Sequence, residues 1–197
     1  MHKYDTLSSE EPVIMLPVNA KLVFKGKLYD TYQWQQEMFD GTTATFEMLK
    51  RPYNGCVIPV VDNKIMVLEQ VQPGKSPFIS LPGGRCESGE DPLSAAKREL
   101  LEETGYCSEN WSEWLNTVPE EKVDWQIHTF IARDCKFTKE QHSDNGECIK
   151  IKFLSFEEFL MLSDNSNFRN KDTITELLRV RLDPTKKAAL YTQLFNK

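Results

Sequence analysis

Residues 84–106 read GRCESGEDPLSAAKRELLEETGY, and the fold turns on this stretch. Asp91 precedes Pro92; Asp is a strong helix N-cap and Pro is at home in the first helical turn. Leu93, Ala96, Leu100 and Leu101 then recur at helical spacing, and Gly105 after Thr104 suits a helix C-cap. The pattern predicts one short amphipathic helix over 92–104. On it Glu99 and Glu103 are an i, i+4 pair and Glu102 follows Glu99 by three, so the three share one side. Like charges gathered on one face repel. A hard divalent cation relieves that repulsion, because it prefers carboxylates, carbonyls and water as ligands. Arg98 stands four residues before Glu102 and is expected to fix that carboxylate by a bidentate contact. The competing reading is a solvated helix with ordinary surface charge. A bare Glu-Glu pair would favour it; glycines, arginine and glutamates all in register do not. Glu87 reads as loop charge and Asp91 as a cap.

The chain has 197 residues, which suits one domain with a small appendage and is long enough to bury a core. Apolar content of 40% and charged content of 27% fit a globular chain. The net charge of −6 argues against non-specific nucleic-acid binding, which needs a basic surface. Acidity also opposes an anionic substrate, but a bound metal inverts the local field. No long apolar run suggests a membrane span, and the polar start MHKYDTLSSEEP does not resemble a signal peptide. Cys56, Cys86, Cys107, Cys135 and Cys148 are odd in number and lack CxxC spacing, so neither a disulfide framework nor a zinc site is expected. A reducing cytoplasm fits them. His2, His128 and His142 are scattered, and His128 reads as structural.

Three parts are expected along the chain: a tail over 1–20, a β-hairpin extension over 21–50, and the main domain over 51–197. Residues 21–38 alternate loosely, Asp40-Gly41 is a hairpin turn signal, and 43–49 read as the returning strand. CVIPVV at 56–61, a turn at Asp62-Asn63 and KIMVLEQV at 64–71 read as buried strands. A short strand over 78–81 leads to a turn at 82–84. Beyond the helix, 111–117, 123–132 and 147–154 read as strands, and 156–162, 173–182 and 186–195 as helices. Strands on both sides of one helix, with helices at the end, predict a mixed α/β fold: a sheet flanked by helices.

The stretch resembles the Nudix box, GX5EX7REUXEEXGU with U apolar, position by position. Gly84, Glu90, Arg98, Glu99, Leu100, Glu102, Glu103, Gly105 and Tyr106 occupy its specified places, with Tyr106 aromatic where the last U is usually aliphatic. Long multi-position motifs are far more specific than short ones. The resemblance implies an α/β/α sandwich with a mixed sheet, the box forming loop, helix and loop. The entry VFKGKLYD…FDGTTATFEMLKRP…VIPV further resembles the ADP-ribose and nucleotide-sugar pyrophosphatases, over roughly residues 20–160. In that group the N-terminal strands pair across a homodimer. Two departures bear on the sugar and base. Gln72 stands where the group carries an arginine, and a proline expected past the box is missing, Pro119 lying too early.

The resemblance implies hydrolysis of a nucleoside diphosphate linked to another group, a small molecule and not a nucleic acid or membrane. Mg2+ is the expected cofactor, with Mn2+ as an alternative. Glu99 and Glu103 are the principal metal ligands expected, Glu102 a further or water-mediated one, and a backbone carbonyl near Gly83 the neutral ligand. Arg98 and Glu102 are counted among the catalytic residues, and Glu90 as loop support. The general base is expected on the polar stretch KEQHSDNGECIKIKF, with Glu147 first and Glu140 and Asp144 as rivals. Trp34, Phe46 and Trp125 are candidates to stack on a base, though such residues in strands more often belong to a core; Gln70 is a further substrate-binding candidate. ADP-ribose or a related nucleotide sugar leads. Dinucleoside polyphosphates, damaged triphosphates and a catalytically silent binding module are the alternatives.

Overall fold

A computed structural model describes residues 16–141 and 148–195. In chain order the strands are β1 (Lys21–Phe24), β2 (Asp30–Glu37), β3 (Thr43–Lys50), β4 (Asn54–Val61), β5 (Lys64–Val71), β6 (Phe78–Ser80) and β7 (Gly83–Arg85). Helix α1 (Pro92–Thr104) follows, then β8 (Tyr106–Cys107), β9 (Asn110–Thr117), β10 (Val123–Asp124), β11 (Ile127–Arg133), β12 (Lys136–Phe137) and β13 (Cys148–Leu154). Helices α2 (Phe156–Leu160), α3 (Lys171–Leu182) and α4 (Pro184–Phe195) end the chain, with a 3-10 turn at Met161–Asp164. Among the described residues no helix is long and apolar enough to cross a membrane.

The chain divides into two compact units: residues up to Arg51 with Val118–Trp125, and Pro52–Thr117 with Gln126–Lys197. The first is a four-stranded sheet in the order β1-β2-β3-β10. Its hairpin β2–β3 turns at Asp40-Gly41, where Asp40 Oδ1 accepts from the Thr42 N–H and hydroxyl. The loose alternation over 21–38 resolves into two strands, because residues 25–29 leave the ladder. Residues 123–132 are two strands, not one. Val123–Asp124 pairs in parallel with β3, whereas Ile127–Arg133 joins the other sheet. Buried Asp124 takes a salt bridge from Lys50 at 3.1 Å, which anchors the first piece.

The second unit holds a seven-stranded mixed sheet with the path β13-β5-β4-β11-β9; β6 pairs with β5 and β7 with β4. The β4–β11 pair is parallel and its neighbours antiparallel. Successive residues of a strand face opposite sides, so β4 feeds two cores. Val57 joins Ala96, Leu100, Phe130 and Ala132 on the α1 side. Ile58 and Val60 join Phe159, Phe168, Leu177 and Leu194 on the side of the later helices.

Helix α1 spans the expected residues. Asp91 Oδ1 accepts from the Leu93 and Ser94 N–H groups, and Gly105 at φ 75° closes the helix in the left-handed region. The helix lies directly on β4. Ala95 and Ala96 are fully buried, and a Cβ on Gly55 would meet the Pro92 carbonyl and lie 2.8 Å from the Ala96 nitrogen. Both obstacles are backbone and cannot rotate away. Gly55→Ala should therefore destabilise by about 1–3 kcal/mol, the usual cost of overpacking. Thermal melts would read this as a drop in Tm of roughly 2–4 °C per kcal/mol. An unchanged Tm would mean that the helix and strand are not in backbone contact.

Candidate active site

The box residues meet where α1 faces the turn from β6 into β7. Gly83 has φ 151°, and a Cβ there would lie 2.6 Å from the Gly55 carbonyl and 2.7 Å from Cys56 Cα. Only glycine passes so close to a neighbouring strand in that conformation. A Cβ on Gly84 would run into the carboxylate of Glu99. The two glycines thus let glutamates of α1 lie against the main chain.

Arg98 organises the carboxylates. Its Nε and Nη2 donate to Glu90 Oε1 and Oε2, both at 3.1 Å. Its Nη1 donates to Glu99 Oε1 at 2.8 Å and Glu102 Oε2 at 3.1 Å. The bidentate contact is therefore with Glu90, and Glu102 receives a single bond. The helical i, i+4 spacing brings one Arg98 nitrogen to Glu102, while the loop presents both Glu90 oxygens to the fork. Glu90 also accepts from the Glu87 N–H at 2.8 Å, tying the loop together. Nη2 reaches the Arg85 carbonyl at 3.0 Å as well.

The charges follow this geometry. The Arg98 contacts hold the Glu90 carboxyl below the usual carboxylate range. Glu99 goes the other way. Burial pushes its carboxyl up, and that outweighs the attraction of the same guanidinium. The carboxylates together hold Arg98 more firmly protonated than a free arginine. Glu103 is turned toward the turn, and its Oε2 accepts from the Gly83 N–H at 2.9 Å.

Among the described residues no three acidic, His or Cys side chains converge on a single point. The donor chemistry nevertheless fits a hard divalent cation. Three glutamates share one arginine and Glu103 bonds to the adjoining turn, so negative charge is in excess, and the glycine turn brings main chain beside them.

The other site candidates are distributed as follows. Trp34 and Phe46 are cross-strand partners in the first unit, with ring centroids 5.9 Å apart. Trp125, in the same unit, has the Arg51 guanidinium 4.1 Å over its ring. Gln70 belongs to the second unit, where it is buried and donates to Ser80 Oγ at 2.9 Å. A cavity of about 360 Å3 opens beside it, lined also by Glu69, Phe78, Lys150 and Asn167 and by no box residue. Gln72 donates to Gln70 Oε1 at 3.3 Å. Glu140 is exposed, and Asp144 and Glu147 lie outside the described residues. His128 Nδ1 lies 2.7 Å from Glu113 Oε1 and its Nε2 3.2 Å from Gln126 Oε1, a strand-face contact.

Three residues near the turn carried no signal in the sequence: Cys56, Asn170 and Asp172. Cys56 is buried, and burial together with the charges of Asp172, Glu103 and Glu99 pushes its thiol well up, so it stays protonated and inert. Burial likewise raises the Asp172 carboxyl, whose Oδ2 has no hydrogen-bond partner among the described residues.

Comparison with known proteins places this geometry. The NUDIX domain model matches residues 50–177. The ADP-ribose pyrophosphatase of Bacillus subtilis (strain 168) is 30% identical over 148 residues, covering 73% of this chain and 80% of that protein. The methanol dehydrogenase activator of Bacillus methanolicus is 27% identical over 172 residues, 84% of this chain and 91% of its own. An RNA pyrophosphohydrolase of Brucella ovis is 37% identical over 88 residues, 38% of this chain and 49% of its own. A solved structure described as an ADP compounds hydrolase superposes with a TM-score of 0.67 at 20% identity, covering 89% of this chain and 95% of that one, a likeness of fold. The family model takes in the box and most of the sheet around it, and with the Bacillus subtilis relative it establishes that this chain belongs to the Nudix family of hydrolases.

Proposed function

We propose that this Nudix hydrolase cleaves the diphosphate of ADP-ribose or a related nucleotide sugar in a Mg2+-dependent reaction. The observation that carries the reading is the complete box, with four glutamates gathered about Arg98 and the Gly83–Gly84 turn. The long similarity to an ADP-ribose pyrophosphatase supports the substrate. Nudix hydrolases generally use divalent metal ions, and Glu99, Glu102, Glu103 and the Gly83 carbonyl are the ligands we assign. Bound metal supplies charge neutralisation of the phosphate oxygens and a more acidic water.

The chain's own residues do the rest. The glycine turn lets the diphosphate approach main chain rather than side chains. Arg98 holds Glu99 and Glu102 in place and limits their mutual repulsion. A water oxygen bonds to one phosphorus, the bridging P–O bond breaks, and a nucleoside monophosphate and a sugar phosphate leave. The water's proton passes to a base, for which we assign Glu147, with Glu140 and Asp144 as rivals. Trp34, Phe46 and Gln70 are assigned to substrate binding. The acidic chain and its five free cysteines support a small-molecule hydrolase of the cytoplasm.

A second reading, cleavage of a triphosphate, has two observations in its favour. Gln72 replaces the arginine of the ADP-ribose group, and an 88-residue stretch of the chain is 37% identical to an RNA pyrophosphohydrolase. Chromatography of products separates the two. ADP-ribose should give AMP and ribose 5-phosphate, whereas release of inorganic pyrophosphate from a triphosphate, without cleavage of any nucleotide sugar, would sink the first reading.

The residue assignments have their own test. Glu103→Gln should cut turnover about 100-fold or more, the scale of losing one electrostatic partner of a transition state. Its Tm should hold, since the change removes a repelling charge. Glu147→Gln should slow hydrolysis by roughly 10²–10⁴ with substrate affinity almost unchanged, as expected for a base. Near-normal turnover of Glu103→Gln at saturating Mg2+ would refute the metal assignment. A crippling Glu140→Gln or Asp144→Asn beside an active Glu147→Gln would move the base to that residue.

We also propose a homodimer through the N-terminal strands. Leu22, Val23 and Phe24 of β1 are about half exposed or more, an apolar strand edge of the kind natural proteins cover. Light scattering at micromolar concentration should give twice the 22.8 kDa chain mass. A clean monomer would refute the dimer.

A further inference from the structure

Asn170 stands at the N-cap of α3, yet its side chain makes no hydrogen bond to that helix. Asn is among the strongest N-caps, so the omission calls for a reason. The amide is engaged elsewhere. Its Oδ1 accepts from the Leu81 N–H at 2.8 Å, and its Nδ2 lies 3.8 Å from Cys56 Sγ. A main-chain N–H can only donate and a sulfur accepts weakly, so both contacts select the same orientation of the amide.

The preceding segment explains how Asn170 comes to be there. The Ile79 N–H donates to the Asn167 carbonyl at 3.0 Å, and the Arg169 N–H donates to the Ile79 carbonyl at 2.8 Å. These bonds form a parallel bridge between Ile79 and Phe168. The next rung would take the Leu81 N–H to a main-chain carbonyl, but the chain there turns into α3. The side-chain carbonyl of Asn170 takes that rung instead.

The turn thus held is the one that faces the glutamates. The Pro82 carbonyl accepts from the Val57 N–H at 3.0 Å, and the Gly83 N–H donates to Glu103 Oε2 at 2.9 Å. Leu81, Pro82 and Gly83 are therefore each fixed by a different element: the cap of α3, strand β4 and helix α1. We propose that Asn170 is a positioning residue for the metal-binding turn, its side-chain carbonyl fixing Leu81 and so the placement of the Gly83 carbonyl opposite the glutamates of α1. This rests on the metal reading of the box. Burial first, and then the charges of Asp172, Glu103 and Glu99, raise the thiol of Cys56, which sets the sulfur partner of Asn170 beside the same carboxylates.

The test is Mn2+ binding to the full chain without substrate, followed by electron paramagnetic resonance of the free ion, with thermal melts alongside. Outer-shell partners of a metal site typically change affinity by about 10–100-fold, and Asn170→Ala should weaken Mn2+ binding on that scale. Asn170→Asp keeps the acceptor and its added negative charge does not oppose a cation, so it should lose no more than about threefold in Mn2+ affinity, below that range. In turnover assays the Ala variant should need correspondingly more metal, with substrate KM little changed. If Asn170→Ala does not fold, Asn170→Ser carries the same expectation, because its side chain is too short to replace the rung. A lower Tm with parental Mn2+ affinity would overturn the proposal and leave Asn170 a purely structural residue. Equal losses in the Asp and Ala variants would overturn it too. A parent chain that binds no Mn2+ would bring down the metal reading and this proposal together, so the two failures are distinguishable.

Discussion

The constraint on which the second unit depends is backbone contact between α1 and β4. The helix can lie on the strand only because Gly55 presents no Cβ to Pro92 and Ala96, and because Ala95 and Ala96 are small. That approach puts the next turns of the helix, carrying Arg98, Glu99, Glu102 and Glu103, level with the Gly83–Gly84 turn. Gly83 and Gly84 repeat the condition there, since each would collide with β4 or with Glu99 if it carried a side chain. Gly55 and the adjacent pair Gly83–Gly84, remote from it in sequence, thus meet one requirement: main chain, not side chains, must line the place where the carboxylates gather.

Close approach concentrates charge, and Arg98 is what makes that tolerable in the free protein. One guanidinium serves Glu90, Glu99 and Glu102 at once. The division of labour is uneven. Glu90 takes both oxygens of the fork contact and is held ionised, while Glu99 is buried enough that desolvation wins over the same arginine. A buried carboxylate whose charge is costly, beside others of like sign, is the kind of group that gains most from a second positive charge.

Much of this was legible in the sequence because it is local. Asp91-Pro92 and Thr104-Gly105 mark the ends of α1, and their cap chemistry involves only residues within the helix and its flanks. The Asp40-Gly41 hairpin is local in the same sense. What escaped is non-local. Residues 123–132 carry one continuous strand-like pattern, and only the pairing of Val123–Asp124 with β3 and of Ile127 onward with β4 divides it. The same holds for β7, a strand of two glycines and an arginine that exists because β4 pairs with it. The fork of Arg98 turns to Glu90, eight residues away across the loop, where helical spacing alone suggests Glu102. Asn170, 89 residues from Leu81, had no local sign at all.

The two caps of α1 and α3 show why such residues resist a reading from sequence. Asp91 and Asn170 are both strong cap types placed directly before a helix, and by local rules they are equivalent. Asp91 caps: its Oδ1 accepts two N–H groups of the first turn and its Oδ2 a serine hydroxyl. Asn170 does not, and α3 begins instead with the Thr173 hydroxyl donating back to the Asn170 carbonyl. The difference lies in what surrounds them. Leu81 carries a main-chain N–H with no ladder carbonyl to meet it, and an unmatched buried N–H costs more than a lost surface cap. The amide goes where the larger debt is. A carboxylate at 170 could accept that bond but could not donate toward Cys56, and it would add charge beside Glu99, Glu103 and Asp172. Asparagine is the one strong cap type that offers an acceptor at this reach, a donor for the sulfur and no charge, and the same neutral amide leaves the excess negative potential to the glutamates of the box.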